Sequence, residues 1–203
     1  MDKDCIENHR RYLERVALDK SYGYDVEKER SFILEQARPL EGRILEAGTG
    51  KGHFALALAK ESRPFVTFDI SADEQHYAKL NLEYYGLDKL IDFRIENAEH
   101  TSFPEGCFDI IFSVNLIHHL ENPYRAVEEL VRILSPQGKL VVADFTEKGF
   151  QIMDKIHALN GNTHDRGKVT LSDIEVYLMN RGFLVRNSYS EIQHVLVARR
   201  SVA

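Results

Sequence analysis

A chain of 203 residues and 23.4 kDa is long enough for one domain with a sizeable core and a small appendage. Its 43% hydrophobic and 29% charged residues exclude wholesale disorder, and a net charge of -6 with a pI near 5.9 withholds the positive field that nucleic acid binding requires. The charged N-terminus and the short longest apolar run, FALALA (54–59), predict neither a signal peptide nor a membrane span; Cys5 and Cys107 lack the paired spacing of a zinc or redox motif, so a cytoplasmic protein is the expectation.

Residues 1–38 carry two helical stretches. Ile6, Leu13, Val16 and Ala17 fall near helical spacing, SYGYD (21–25) interrupts the pattern, and a second stretch runs to Ala37 before Pro39. This appended segment brings Tyr12, Tyr22, Tyr24 and Phe32, and either packs passively or folds over a ligand site. From Arg43 onward, short runs rich in Val, Ile and Phe alternate with longer amphipathic stretches. Strands are predicted at 43–47, 65–70, 91–96, 108–114, 139–145, 184–190 and 193–199, with helices at 53–60, 72–85, 124–134, 149–159 and 171–181. Ser71 with Glu74, and Thr170 with Asp173, have the spacing of capping boxes, and Gly86 and Gly182 follow the ends of those two helices. The last two strands have almost no spacer and must form an antiparallel hairpin. The pattern predicts an α/β fold: a doubly wound, mostly parallel sheet of seven strands with an antiparallel C-terminal hairpin, occupying 39–203 behind the helical segment 1–38.

The segment ILEAGTGKGHF is the strongest local signal. An apolar strand ends in an acid, Glu46; Gly48, Gly50 and Gly52 alternate, and a helix opens at once. Glycine admits positive φ and close backbone approach, while the helix start offers free N–H groups, so the turn is a cradle for a small ligand. Gly50, Gly52 and Ala55 also satisfy a dinucleotide pattern, and Lys51 could pair with phosphate. Against a pyrophosphate stand the charge of Glu46 and the bulk of His53 in the other glycine register; a triphosphate loop would need Ser or Thr where Gly52 stands. The second strand ends at Asp69, some twenty residues past the loop, where a carboxylate accepts both hydroxyls of a ribose. Adenosine ligands fit; the spacing does not separate one from another.

With this loop and Asp69, the segments ENAEHTSFPEGCFDIIFSVNLIHHL (96–120) and ILSPQGKLVVADF (133–145) resemble the class I S-adenosylmethionine-dependent methyltransferases of the small-molecule type. The resemblance spans residues 40–146 and implies a Rossmann-like fold, S-adenosylmethionine as cofactor and a small-molecule methyl acceptor. It implies that Glu46, Ala47, Gly48, Thr49, Gly50 and Gly52 surround the methionine end of the cofactor and that Asp69 binds its ribose. Ile70 would pack on the adenine face, Asn97 and Ala98 would meet the adenine edge, and Asn115 would lie near methionine and ribose. Asn97 stands where the family often has Asp; its oxygen can still accept from the adenine amino group. A cationic sulfonium is also better matched than a phosphate to an acidic loop. A binder without turnover, acting as sensor or partner subunit, and an NAD-dependent oxidoreductase are the competing readings.

Methyl transfer is an in-line displacement at carbon that depends mainly on positioning, and a base is needed only for some acceptors. His118 and His119, after the fourth strand, stand where open sheets bind ligands, and a structural role competes with catalysis for both. His157 and His164 fall in the segment where the resemblance places part of the acceptor pocket, with solvent exposure as the alternative. With Asp165 they lack compact ligand spacing, so no metal is predicted. Cys107 has no basic sequence neighbour and reads as inert.

Overall fold

Runs such as FDIIFSV and KLVVADF are apolar at nearly every position, which suits strands covered on both faces. The computed structural model, which describes residues 2–159, 161–163 and 166–201, sets them in the middle of a seven-stranded sheet. Its strands are β1 (Ile44–Ala47), β2 (Phe65–Asp69), β3 (Ile91–Ile95), β4 (Phe108–Val114), β5 (Leu134–Phe145), β6 (Phe183–Tyr189) and β7 (Gln193–Arg200), in the order β3-β2-β1-β4-β5-β7-β6. Pairs from β3 through β5 are parallel. β7 is antiparallel to both its neighbours, β5 and β6, so it alone runs against the rest of the sheet. The chain order reverses at β1, and the crossovers leave toward opposite faces there, opening a crevice at the carboxyl ends of β1 and β4.

Both faces are packed. Along β5, Leu140 and Val142 belong to one apolar layer and Val141 and Ala143 to the other, the two-residue alternation of a strand. α5 (Pro123–Ile133) and α7 (Leu171–Met179) cover the first face with Val127, Leu130, Ile174 and Leu178. α2 (Val26–Ala37), α3 (His53–Ala59) and α4 (Ala72–Tyr84) cover the second with Ile33, Phe54, Leu58 and Leu82. Each such side chain, fully buried, contributes about 1.5–3 kcal/mol, which makes these two layers the main stabilising term.

The turn between the appended helices reaches the carboxyl end of β5. α1 (Lys3–Ser21) runs along α4, where the Cys5 thiol donates to the Leu80 carbonyl at 3.3 Å and Asn8 donates to the Asn81 side-chain oxygen at 2.8 Å. Tyr24 and Val26, at the turn into α2, pack with Phe145 and with Ile152, Met153 and Ile156 of α6 (Glu147–Leu159) in a third apolar cluster.

Three boundaries differ from the sequence expectation by two residues or more. Leu134, expected to end a helix, starts β5 opposite Phe108, and residues 135–138 bulge before Lys139 pairs with Ile110. A Cβ at Gly138 would lie 2.9 Å from the Asp109 carbonyl oxygen, so the bulge closes only around glycine. α6 begins at Glu147, two residues early, because the Thr146 hydroxyl accepts from the Gly149 N–H at 3.2 Å and caps it. α7 ends at Met179 rather than Arg181.

The two capping signals also diverge. At Thr170 the box is reciprocal: its hydroxyl accepts from the Asp173 N–H at 3.2 Å, and the Asp173 carboxylate accepts from the Thr170 N–H at 2.8 Å. At Ser71 only half forms. Its hydroxyl accepts from the Glu74 N–H at 3.2 Å, but its own N–H donates to Asp69 at 3.0 Å and is lost to Glu74. Thr170→Ala is expected to destabilise the fold by about 1 kcal/mol, seen as a lower urea midpoint at unchanged m-value.

Candidate active site

Parallel register puts the ligand residues predicted from sequence in one row. Ala47 is level with Phe68 and with Ser113, and Asp69 with Ile95, so Gly48, Asp69, Asn97 and Asn115 all leave the sheet at the same edge. The Gly48 and Thr49 N–H groups donate to the Phe68 carbonyl at 2.9 and 3.0 Å, and the Gly50 N–H donates to Asp69 Oδ2 at 2.8 Å. Gly52 caps α3 with φ +83°, and a Cβ there would meet Ala78 Cα at 3.0 Å; glycine provides both the left-handed backbone and the close approach to α4.

Asp69 thus clamps the loop through one oxygen and Ser71 through the other, and each oxygen retains acceptor capacity for a further donor. Ile70 beside it is 69% exposed, and Ala98 is buried. Asn97 is exposed, with its side-chain oxygen accepting from the Glu99 N–H at 2.9 Å. That turn uses part of the acceptor capacity anticipated for an adenine amino group.

Glu46 departs from the picture of an acidic loop. It is 1% exposed beneath the loop, its Oε2 accepting from the Thr67 hydroxyl at 2.6 Å. The hydroxyls of Thr49 and Thr67 lie 2.6 Å apart, and Gln75 donates to Thr49 at 2.6 Å, so the donors run in sequence from Gln75 to Glu46. Burial pushes the Glu46 carboxyl up to about 8, against the opposing pull of the Thr67 bond and the Arg30 charge. At neutral pH it is mostly protonated and does not supply the negative charge its position in sequence implied.

Of this row Asn115 borders a cavity of about 580 Å³, bounded also by the loop at Lys51 and His53, by His118 and His119, by α6 and by the N-terminal helices; Gly48, Asp69, Asn97 and Ala98 lie outside its wall. Asn115 leaves β4 at φ +52°, a conformation that Asn tolerates. With its amide turned to suit both neighbours, its oxygen accepts from Arg30 Nη2 at 3.1 Å and its nitrogen donates to Gln193 Oε1 at 3.0 Å. His118, His119 and His157 all line this cavity. His118 is buried, with Nδ1 2.6 Å from Asp144 Oδ1, which also accepts from the Phe145 N–H at 2.8 Å. The His119 ring lies 4.0 Å from that of His118. His157 is half-buried on α6, and burial followed by the charge of Arg15 lowers its pKa.

Burial raises the pKa of the Cys107 thiol, as an inert cysteine requires. His164 and Asp165 lie outside the described residues; among the described residues no group of three His, Cys, Asp or Glu side chains is placed to hold a metal ion. No helix among them is long and apolar enough to cross a membrane.

Sequence reasoning passed over Arg15 and Arg30 and used His53 only for its bulk in the glycine register; all three are in the cavity wall. For Arg30 a signal was available. The buried stripe of α2 is Val26, Glu29, Arg30, Ile33, Leu34 and Ala37, and a charged residue on such a stripe marks a polar site within the core.

Residues 45–142 match a family model described as a methyltransferase domain. The 27-O-demethylrifamycin SV methyltransferase of Amycolatopsis mediterranei is 28% identical over 105 residues, which cover 51% of this chain and 38% of that protein. The ubiquinone/menaquinone biosynthesis C-methyltransferase UbiE of Bartonella henselae is 30% identical over 123 residues, covering 58% of this chain and 46% of that protein. The chain spans less than half the length of these two relatives. Among solved structures the cyclase SpnF superposes with a TM-score of 0.69 at 18% identity, covering 87% of this chain and 82% of SpnF, a likeness of fold. By its matched residues 45–142, just under half of its length, its strand order and the glycine loop clamped by Asp69, the chain is similar to the class I S-adenosylmethionine-dependent methyltransferases.

Proposed function

We propose that the protein transfers the methyl group of S-adenosylmethionine to a small molecule held under its N-terminal helices. The observation that carries this reading is the continuity of the glycine loop and Asn115 with a cavity of about 580 Å³, a volume suited to a metabolite. The residues present fit the cofactor. A Cβ at Gly50 would meet nothing within 4 Å, so there is open space beside the loop backbone, and Asp69 keeps acceptor capacity for ribose hydroxyls. In this reading Ala47, Gly48, Thr49, Gly50 and Gly52 hold the methionine end from the backbone, with Asn115 beside it. Ile70 covers the adenine face, and Asn97 and Ala98 meet its edge. Glu46 acts from below as a neutral hydrogen-bonded support of the loop.

Held there by the loop backbone, Asp69 and Asn115, the cofactor would supply an electrophilic methyl group for the acceptor's lone pair, with its sulfur as the leaving atom that keeps the electron pair of the broken carbon–sulfur bond. The protein's part is to hold the acceptor in line, exclude water and take the acceptor's proton where it has one. His118 takes that role because Asp144 fixes its ring with Nδ1 as donor, leaving Nε2 as the basic nitrogen. α1 and the turn into α2 serve as the cover that keeps water out.

Thermal-shift measurements test the cofactor assignment. S-adenosylhomocysteine is expected to raise the melting temperature and NADH to leave it unchanged, since only a ligand of the native state stabilises it. Asp69→Ala is expected to abolish the S-adenosylhomocysteine shift; an unchanged shift would remove the ribose assignment. Incubation with labelled donor and cell metabolites tests turnover. Cofactor binding with no transferred methyl would make the protein a binder only.

A further inference from the structure

The overall charge of the chain is -6, yet the cavity beside the glycine loop has the opposite sign. Arg11, Arg15, Arg30 and Lys51 line it together with His53, His118, His119 and His157, against the single carboxylate Asp19. Asp19 is already committed, accepting from Arg15 Nε at 2.8 Å. Arg11 is held by Glu7 at 3.0 Å on the exposed side of α1.

Arg30 is the exception. It is 93% buried by its 7% exposure, and among the described residues its guanidinium has one hydrogen-bonding partner, the Asn115 amide oxygen, a neutral group. Its Nε has none, and neither does His53 Nδ1. Asp19 lies close enough to feel the Arg30 charge but spends its hydrogen bond on Arg15. A guanidinium removed from water with no carboxylate bonded to it is costly, and buried donors left unmade are rare in folded proteins. Glu46 lies close enough to feel Arg30, but burial keeps it mostly neutral. The positive field is felt elsewhere in the wall: after burial itself, Arg30 and Arg15 are what lower the pKa of His53. Arg30 and His53 also face a smaller cavity of about 280 Å³, where Glu27, Glu35 and Glu61 outnumber Lys60, so an anion is accommodated only on the larger side.

We propose that the methyl acceptor held in this cavity is an anionic small molecule, a carboxylate or phosphate ester, with Arg30 as its charge partner. The inference rests on the methyltransferase reading and names the class of acceptor for it. Guanidinium is suited to this task because its planar donors match the geometry of an oxyanion. The other source of an oxyanion at Arg30 is the methionine carboxylate of the cofactor, and the experiment separates the two.

The protein is titrated by fluorescence, with and without saturating S-adenosylhomocysteine, using 8-anilinonaphthalene-1-sulfonate and its neutral relative N-phenyl-1-naphthylamine. The sulfonate is expected to bind about tenfold or more tightly than the neutral probe with S-adenosylhomocysteine in place. Arg30→Met is expected to weaken the sulfonate about tenfold while changing neutral-probe and S-adenosylhomocysteine affinities less than about twofold. Arg15→Gln, at a partly exposed position of α1, is expected to weaken the sulfonate alone and keeps the test open if Arg30→Met does not fold. Equal binding of the two probes, or a sulfonate affinity indifferent to both substitutions, overturns the proposal. A collapse of S-adenosylhomocysteine affinity in Arg30→Met, with sulfonate binding to the ligand-free protein kept, assigns the guanidinium to the cofactor and overturns it as well. Failure of S-adenosylhomocysteine to bind the unsubstituted protein is a separate result, against the methyltransferase reading itself.

Discussion

His118→Asn is expected to lower the turnover number for methyl transfer by about 10²–10⁴-fold, with S-adenosylhomocysteine affinity held within about twofold. The size of the effect is that of a lost general base. Asn keeps an amide donor for the Asp144 carboxylate, which at 4% exposure would otherwise be stranded in the interior, so the substitution removes the basic nitrogen without emptying the site. Asp144→Asn acts through His118 and is a positioning variant. Its amide can donate to Nδ1, which favours the tautomer with the proton on Nε2, the form unable to accept one. It is expected to lower turnover in the same direction, and the residual rate of both variants should climb with pH as hydroxide replaces the missing base. A fall of less than about threefold for His118→Asn would show that positioning alone carries the transfer and that the histidine is structural.

Glu46→Gln is expected to become progressively more stable than the unsubstituted protein as pH rises from about 4.5 to about 8. The sign follows from the folded carboxyl titrating near 8 against an unperturbed 4.5, raised first of all by burial. Below 4.5 the group is protonated in both states; between the two values the unfolded chain releases the proton and the folded protein retains it, so stability drains away with rising pH. Gln has the shape of the protonated acid and still accepts from Thr67, but it does not titrate, so the stability difference between the two proteins should grow by on the order of 4 kcal/mol across this window. Urea unfolding at half-unit pH steps measures it, with all other groups cancelling in the difference. A difference that stays flat with pH would mean that Glu46 is ionised in the fold, returning a negative charge to the underside of the loop.

Much of the fold is legible in local patterns. FDIIFSV and KLVVADF announce strands buried on both faces because their apolar runs leave no solvent face, and the near-absence of a spacer between β6 and β7 forces their hairpin. Boundaries were less legible where a side chain's partner decides them. Thr146 caps α6 only because the chain turns there, and Ser71 loses its expected reciprocal bond because Asp69, two residues earlier, takes its N–H first. The row of Gly48, Asp69 and Asn115 was foreseeable from spacing, since the strands are parallel and successive strand ends must come to one edge.

What the sequence determined by itself is therefore the alternation of strand and helix, the glycine turn and the carboxylate that answers it, all set by contacts a few residues apart or by the regular geometry of a parallel sheet. Two matters were decided only in three dimensions. One is protonation: Glu46 reads as a charge in the chain and is close to neutral in the fold, because enclosure beneath the loop penalises the ion more than Thr67 and Arg30 support it. The other is the cavity. Arg15, Arg30, His53 and His118 lie far apart along the chain and share one wall because α1 packs along α4 and the third apolar cluster draws the turn at Tyr24 onto α6. Burial of apolar surface places these helices but has no direction of its own, so which polar groups end up facing each other is settled only when the whole molecule has closed.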